Sequence, residues 1–381
     1  MVGVGSIATP EATRLLIEIV NARNEDIAKI ACPELCMRLP DPYLTGELGK
    51  RNPFEDGMKE PRRWLVEKSW REEFTADVRK IASRFLKSPD KDWVATGAYM
   101  MECVGTKSDT PLIVSALTRE VKKTKFYKLR TDIYPRPHGA CMELQRAAQM
   151  MVVRGAPVPE NPTSPGESIL FLIALRENDA FRPKGWVKTC DRLLQSDIPY
   201  IQENALTALP APMPEPLRKH LAPILESGDI DASTEACRII GRDKLADLKK
   251  SVLAILTKAT EEWLFRAASN AALALDAKYE RIEILVSRLD EPDMMFKCLD
   301  ALKTIFPNTG GGGHSSNIDI AAAGKQIKPK WQAFIEKHKA HLKAGKGFKI
   351  PHPDVTPDMF PKEYHMSLKD GTYWPKPDRS K

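Results

Sequence analysis

Four segments of this chain repeat at a single spacing, and that spacing limits the fold more tightly than composition does. They are Tyr200–Leu209, Asp231–Ile240, Trp263–Leu275 and Asp293–Leu302, whose small central residues Ala205, Ala236, Ala267 and Cys298 stand 31 residues apart each time. A fixed period in this range is the signature of stacked helix pairs, because one pair cannot bury its apolar face without neighbours.

The stretches between these segments complete the unit. In Leu217–Leu225, Leu245–Leu256 and Arg281–Leu289, apolar residues recur at steps of three and four, which sets them on one helical face. Each unit therefore reads as a leucine-rich first helix followed by a second helix with Ala, Ser or Cys at its centre, where a neighbouring helix must approach closely. Polar turns separate the two: Ser227–Asp231, Ala259–Glu262 and Asp290–Asp293.

The pattern Glu203-Asn-Ala-Leu, Glu235-Ala-Cys-Arg-Ile-Ile-Gly241, Arg266-Ala-Ala-Ser-Asn-Ala-Ala and Lys297-Cys-Leu-Asp-Ala-Leu302 resembles the HEAT-repeat family, with armadillo-like character. The unit is shorter than the usual HEAT length of roughly 40 residues. The resemblance implies an all-α fold, a right-handed α-solenoid of stacked antiparallel helix pairs, with a binding role and no catalytic residues to carry over.

Upstream the same grammar continues with interruptions. Residues 1–39 predict an N-terminal helical pair, and residues 40–69, dense in Pro, Gly and charge, a loop-rich connector. The repeat region is expected over 70–306, with Phe74–Leu86 and Asp92–Val104 as one pair and Pro111–Lys123 and Ala140–Val153 as another. Insertions are expected near 124–138 and 156–185. Residues 307–327 read as a Gly-rich linker around Gly310–Gly313, and residues 328–344 as a capping helix with an apolar stripe of Trp331, Phe334, Ile335 and Leu342. Residues 345–381, with six prolines and five aromatics, read as an irregular extended C-terminal arm.

The net charge is +7 and the sequence pI about 8.9. The densest basic run holds Lys122, Lys123, Lys125, Lys128, Arg130 and Arg136 with Phe126 and Tyr127 interleaved, the residue types that neutralise phosphates and stack on bases. The same lysines at a helix end also suit the negative end of the helix dipole. No membrane-spanning run is present. Met1–Ala8 has neither the basic start nor the long apolar run of a signal peptide, which predicts a cytoplasmic chain; an exported chain whose signal was removed is the alternative. Seven cysteines without tight spacing suit buried thiols rather than a metal site or disulfides. His338 and His341 share a helical face, but no zinc motif accompanies them, so no cofactor is expected.

Phosphate-loop, nucleophile-elbow and dinucleotide motifs are absent from the sequence. HEAT-like DNA glycosylases draw on aromatic and acidic residues over a basic concave face. Trp93, Trp186 and Trp263, near Asp92, Asp191 and Glu262, are the components such a site would use; tryptophans at helix starts also pack between repeats. The expected function is a noncatalytic protein-interaction scaffold that binds a partner segment along the second helices. The alternative is a basic nucleic-acid-binding protein of the DNA-repair glycosylase kind.

Overall fold

The computed structural model describes residues 6–22, 25–42, 59–124, 139–291, 293–302, 304–306 and 320–344. Regular structure among them is entirely helical: seventeen α-helices and four short 3-10 turns, packed against one another. The chain divides into two compact units, Met1–Pro210 and Ala211–Lys381. The division falls inside the repeat, so Tyr200–Leu209 belongs to the first unit and the other three segments to the second.

The first unit starts with α1 (Pro10–Asn21) on α2 (Glu25–Cys36), and α3 (Lys59–Ser69) packs against α1. Thr9 caps α1 by accepting from the Ala12 N–H, with Pro10 in the first turn where its missing N–H is harmless. Next come α4 (Thr75–Leu86), α5 (Lys91–Val104), α6 (Thr110–Thr124), α7 (Gly139–Val153), α8 (Pro165–Glu177), α9 (Trp186–Leu194) and α10 (Pro199–Thr207). The pairs are α4–α5, α6–α7 and α8–α10. Helix α4 packs on α6 and α6 on α8, making one row; α5 packs on α7 in the second row. Gly97 brings α5 close to α4, since a Cβ there would lie 2.9 Å from the Ala82 carbonyl oxygen.

The second unit repeats this with α11 (Leu221–Glu226), α12 (Ile230–Asp243), α13 (Lys249–Lys258), α14 (Glu262–Ala274), α15 (Lys278–Ser287) and α16 (Met295–Leu302). Odd-numbered helices α11, α13 and α15 pack in succession, as do α12, α14 and α16. A longer helix, α17 (Ile320–Lys343), lies on α15 and α16. There Trp331 and Phe334 meet Phe306 with ring centroids 5.2 and 5.6 Å away.

Three of the second helices end alike. Gly155, Lys244 and Asp276 take positive φ of 76, 52 and 55° after α7, α12 and α14. The next N–H then reaches back five residues: Ala156 to Met151, Leu245 to Ile240 and Ala277 to Ala272. This is the Schellman closure, which satisfies carbonyls the helix leaves open.

Arginines satisfy other carbonyls at helix ends. Arg84 donates to Val20 at the end of α1, Arg119 to Leu86 at the end of α4, and Arg154 to Cys103 and Gly105 at the end of α5. In the second unit Arg288 donates to Leu256 and Ala259 after α13, and Arg281 to Ala301 of α16. A cation at a helix C-terminus meets both open carbonyls and the negative end of the dipole. Five arginines are thus employed in holding helix ends.

Several boundaries differ from the sequence reading. The stretch 156–185, read as an insertion, contains α8, whose residues Ser168 to Leu175 are all buried. It lies against α6, α7 and α10, so apolar residues surround it and no amphipathic stripe appears. Its proline- and serine-rich start is a cap: Ser164 and Glu167 form a reciprocal capping box, with Pro165 in the first turn. The connector expected over 40–69 includes α3. Helix α17 begins at Ile320 rather than near Lys328, and Pro329 lies inside it. Residues 125–138, 307–319 and 345–381, which hold one expected insertion, most of the linker and the arm, lie outside the described residues.

Candidate functional site

Of the basic run, Lys122 and Lys123 occupy the last turn of α6, whereas Lys125, Lys128, Arg130 and Arg136 lie outside the described residues. Lys123 Nζ stands 2.9 Å from both carboxylate oxygens of Glu120, which is itself almost fully buried and also pairs with Arg119 at 2.8 Å. Lys122 projects to solvent.

The aromatic and acidic components named from sequence keep local partners instead of converging. Trp93 stacks on Phe85 of α4 at 4.4 Å, and the Arg182 guanidinium lies 5.5 Å above Trp186. Gln195 donates to the Asp191 carboxylate one turn away. Trp263 differs from both other tryptophans: it is 46% exposed rather than packed between repeats. The His338 ring lies 4.9 Å from Phe334. Among the described residues no group of three or more His, Cys, Asp or Glu could hold a metal. Cys141, Cys190, Cys237 and Cys298 are buried, and burial pushes each thiol up to about 12.

Trp263 stands at the edge of a groove of about 330 Å³ between α12 and α14. The groove exists because the two helices approach at small residues: a Cβ on Gly241 would meet the Ala271 Cα at 3.0 Å. Cys237, Gly241, Ala267 and Ala271 form its floor. The walls follow from helical spacing. Arg238 and Arg242 share one face of α12, and Arg266 and Asn270 one face of α14, since residues four apart lie above one another. The Arg266 guanidinium sits 5.8 Å over the Trp263 ring.

Three cations line this groove and no carboxylate does. Each arginine pairs with a carboxylate of its own helix outside the lining: Arg238 with Glu235, Arg242 with Asp243 at 2.7 Å, and Arg266 with Glu262 at 3.0 Å. The Arg266–Glu262 pair is exposed at both ends and the Arg238–Glu235 pair at its arginine, and exposed pairs contribute about 0–1 kcal/mol, so these two guanidiniums remain open to exchange. Asp243 is the exception in burial. Although burial raises its carboxyl, hydrogen bonds from Arg242 and the Met213 N–H leave it below the usual carboxylate range.

The second row of the first unit carries a polar network instead. Tyr200 of α10 donates to Gln145 of α7 at 2.6 Å, and Gln145 donates to Asn204 at 2.9 Å. At the next residue of α7, Arg146 bonds Glu102 of α5 at 3.2 Å and Glu143 at 3.4 Å. Tyr99 of α5 donates to Asp41. Sequence reading passed over this network and the groove arginines alike. The available signal was the four-residue spacing of Arg238 with Arg242 and of Arg266 with Asn270 on consecutive repeat units.

No family model and no curated protein matches the chain. Among solved structures, the chain is similar to the crystal structure of an engineered protein from a structural genomics consortium. Sequence identity is 15% over 90% of this chain and 91% of that chain, with a TM-score of 0.28. Likeness at that level carries no argument about fold or function.

Proposed function

We propose that this chain is a noncatalytic protein-interaction scaffold. Each unit is a stretch of HEAT-like α-solenoid, and the second-helix rows carry the binding surface. The observation behind this reading is the α12–α14 groove, where a floor of small residues, three guanidiniums and the half-exposed Trp263 meet on one row of the array. Successive packing of first helices on first helices and of second on second supports the solenoid description. Aromatic and arginine side chains are also the residue types enriched at protein interfaces.

Among the described residues the cation distribution favours protein over nucleic acid. Arg84, Arg119, Arg154, Arg281 and Arg288 are engaged at helix ends, and Lys123 is held by Glu120. Phosphate-backbone binding draws on a continuous track of available cations. The groove instead confines three arginines to one trough, each paired with a carboxylate of its own helix outside the lining.

Photo-crosslinking in cells tests the proposal. A benzoylphenylalanine at the exposed Asn270 position on the second row should form protein adducts, and the same group at the exposed Ala254 position on α13 should not. Equal adducts at both positions, or nucleic-acid adducts at Asn270, would sink it.

A further inference from the structure

We infer that the α12–α14 groove recognises an acidic peptide segment bearing a central apolar side chain, an assignment that rests on the scaffold reading above. The apolar requirement comes from the floor and one wall. Ala267 and Ala271 offer methyl groups, and Gly241 brings the helices close enough to leave a shallow trough. Trp263, 46% exposed, supplies an aromatic wall. At about 330 Å³ the groove is near the lower end of ligand-sized cavities, which suits one or two side chains of an extended segment.

The acidic requirement comes from charge and geometry together. Arg238, Arg242 and Arg266 face the trough from both helices, and no carboxylate shares the lining. A guanidinium offers a planar fork that accepts a carboxylate through two parallel hydrogen bonds. Arg266 is already oriented by its position over the Trp263 ring and by Glu262 one turn before it. An incoming carboxylate exchanges for Glu262, which is exposed together with Arg266, or displaces the mostly buried Glu235 from Arg238, whose own side chain is 54% exposed. The apolar floor and the Trp263 wall distinguish this trough from a track for a phosphate backbone, along which cations would recur at intervals.

Fluorescence anisotropy on the full chain tests the inference, using short labelled synthetic peptides that place Asp or Glu on both sides of a Leu or Phe. The acidic–apolar peptides should bind at least tenfold more tightly than counterparts with Asn and Gln in the acidic positions. The double variant Arg238→Gln, Arg266→Gln should lose at least tenfold. Arg63→Gln, which removes an exposed cation from α3, should leave binding unchanged. Trp263→Ala should erase the preference for Leu or Phe over Ala at the central position. Unaltered circular dichroism should accompany each variant, since these side chains are exposed.

Peptide binding that ignores acidic residues, or that survives the double arginine variant, overturns the assigned chemistry and leaves the scaffold reading standing. Retention of a single-stranded or duplex oligonucleotide in place of every peptide, lost in the same double variant, overturns both. Retention of neither probe overturns the inference, and the crosslinking experiment at Asn270 then decides the scaffold reading separately.

Discussion

Arg146 Nη2 of α7 stands 3.2 Å from Oε1 of Glu102, a carboxylate on α5 with no exposed side-chain surface. The other oxygen of Glu102 is buried without a hydrogen-bond partner. Burial raises this carboxyl to about 7 against the pull of Arg146, and the nearby Glu143 and Asp41 carboxylates push in the same direction as burial. The folded chain therefore holds its proton more tightly than the unfolded chain, where a glutamate titrates near 4.3. The contribution to stability is present in full below the unfolded value and is lost as pH rises from about 4.3 towards 7. Glu102→Gln should unfold with the wild type below pH 4 but gain about 1–3 kcal/mol over it at pH 8. Urea melts across that range check it; parallel curves for the two proteins would refute the buried titration.

Helix approach at Gly241 is the second expectation. A side chain there collides with the Ala271 backbone, not with a movable side-chain end. Gly241→Val should lower stability by about 1–3 kcal/mol through overpacking. Because Gly241 meets Ala271 where α12 packs on α14, hydrogen exchange should rise most in those two helices. Protection lost evenly through both units would contradict a close approach confined to α12 and α14.

Arginine clamps provide a third. Arg288 is almost fully buried and donates to the carbonyls of Leu256 and Ala259 while pairing with Glu291. Arg288→Ala strands those two carbonyls and leaves a void, at a cost of roughly 2–4 kcal/mol. Arg63→Ala removes an exposed arginine from an ion pair on one helix and should cost less than about 0.5 kcal/mol. Thermal melts of the two variants compare them; equal losses would show that the clamps do not join the helices.

Left-handed closures give a fourth. Lys244 holds φ of 52°, a conformation that disfavours any residue with a Cβ. Lys244→Gly should stabilise by about 0.5–1 kcal/mol, the relief of that conformation exceeding the added freedom of the unfolded chain. Gly155→Ala, at φ of 76°, should destabilise by a similar amount. Chemical denaturation gives both signs, and a loss on Lys244→Gly would contradict the closure described for α12.

Helix pairs at α4–α5 and α6–α7 were legible because their apolar residues keep a helical period on one side. The stripe of Trp331, Phe334, Ile335 and Leu342 was legible for the same reason, and all four are buried. Helix α8 was not, since a helix covered all round has no polar face to reveal a period. The start of α17 was not legible either: the helix expected from residue 328 begins at Ile320 and holds Pro329 inside it.

Small residues at a helical spacing pointed to an all-helical fold from sequence alone, because periodicity is a property of the chain and local backbone geometry translates it into faces. The same information marked Ala236 and Ala267 as close-packed; Ala236 is fully buried, while Ala267 is on the groove floor and the tightest approach falls one turn on, between Gly241 and Ala271. Which charges remain available could be known only from the fold. Arg288 and Arg266 are alike in sequence, yet one is buried against carbonyls after another helix and the other stands over Trp263 at the mouth of a groove. A side chain's burial and partners depend on residues distant along the chain, and packing brings those residues together.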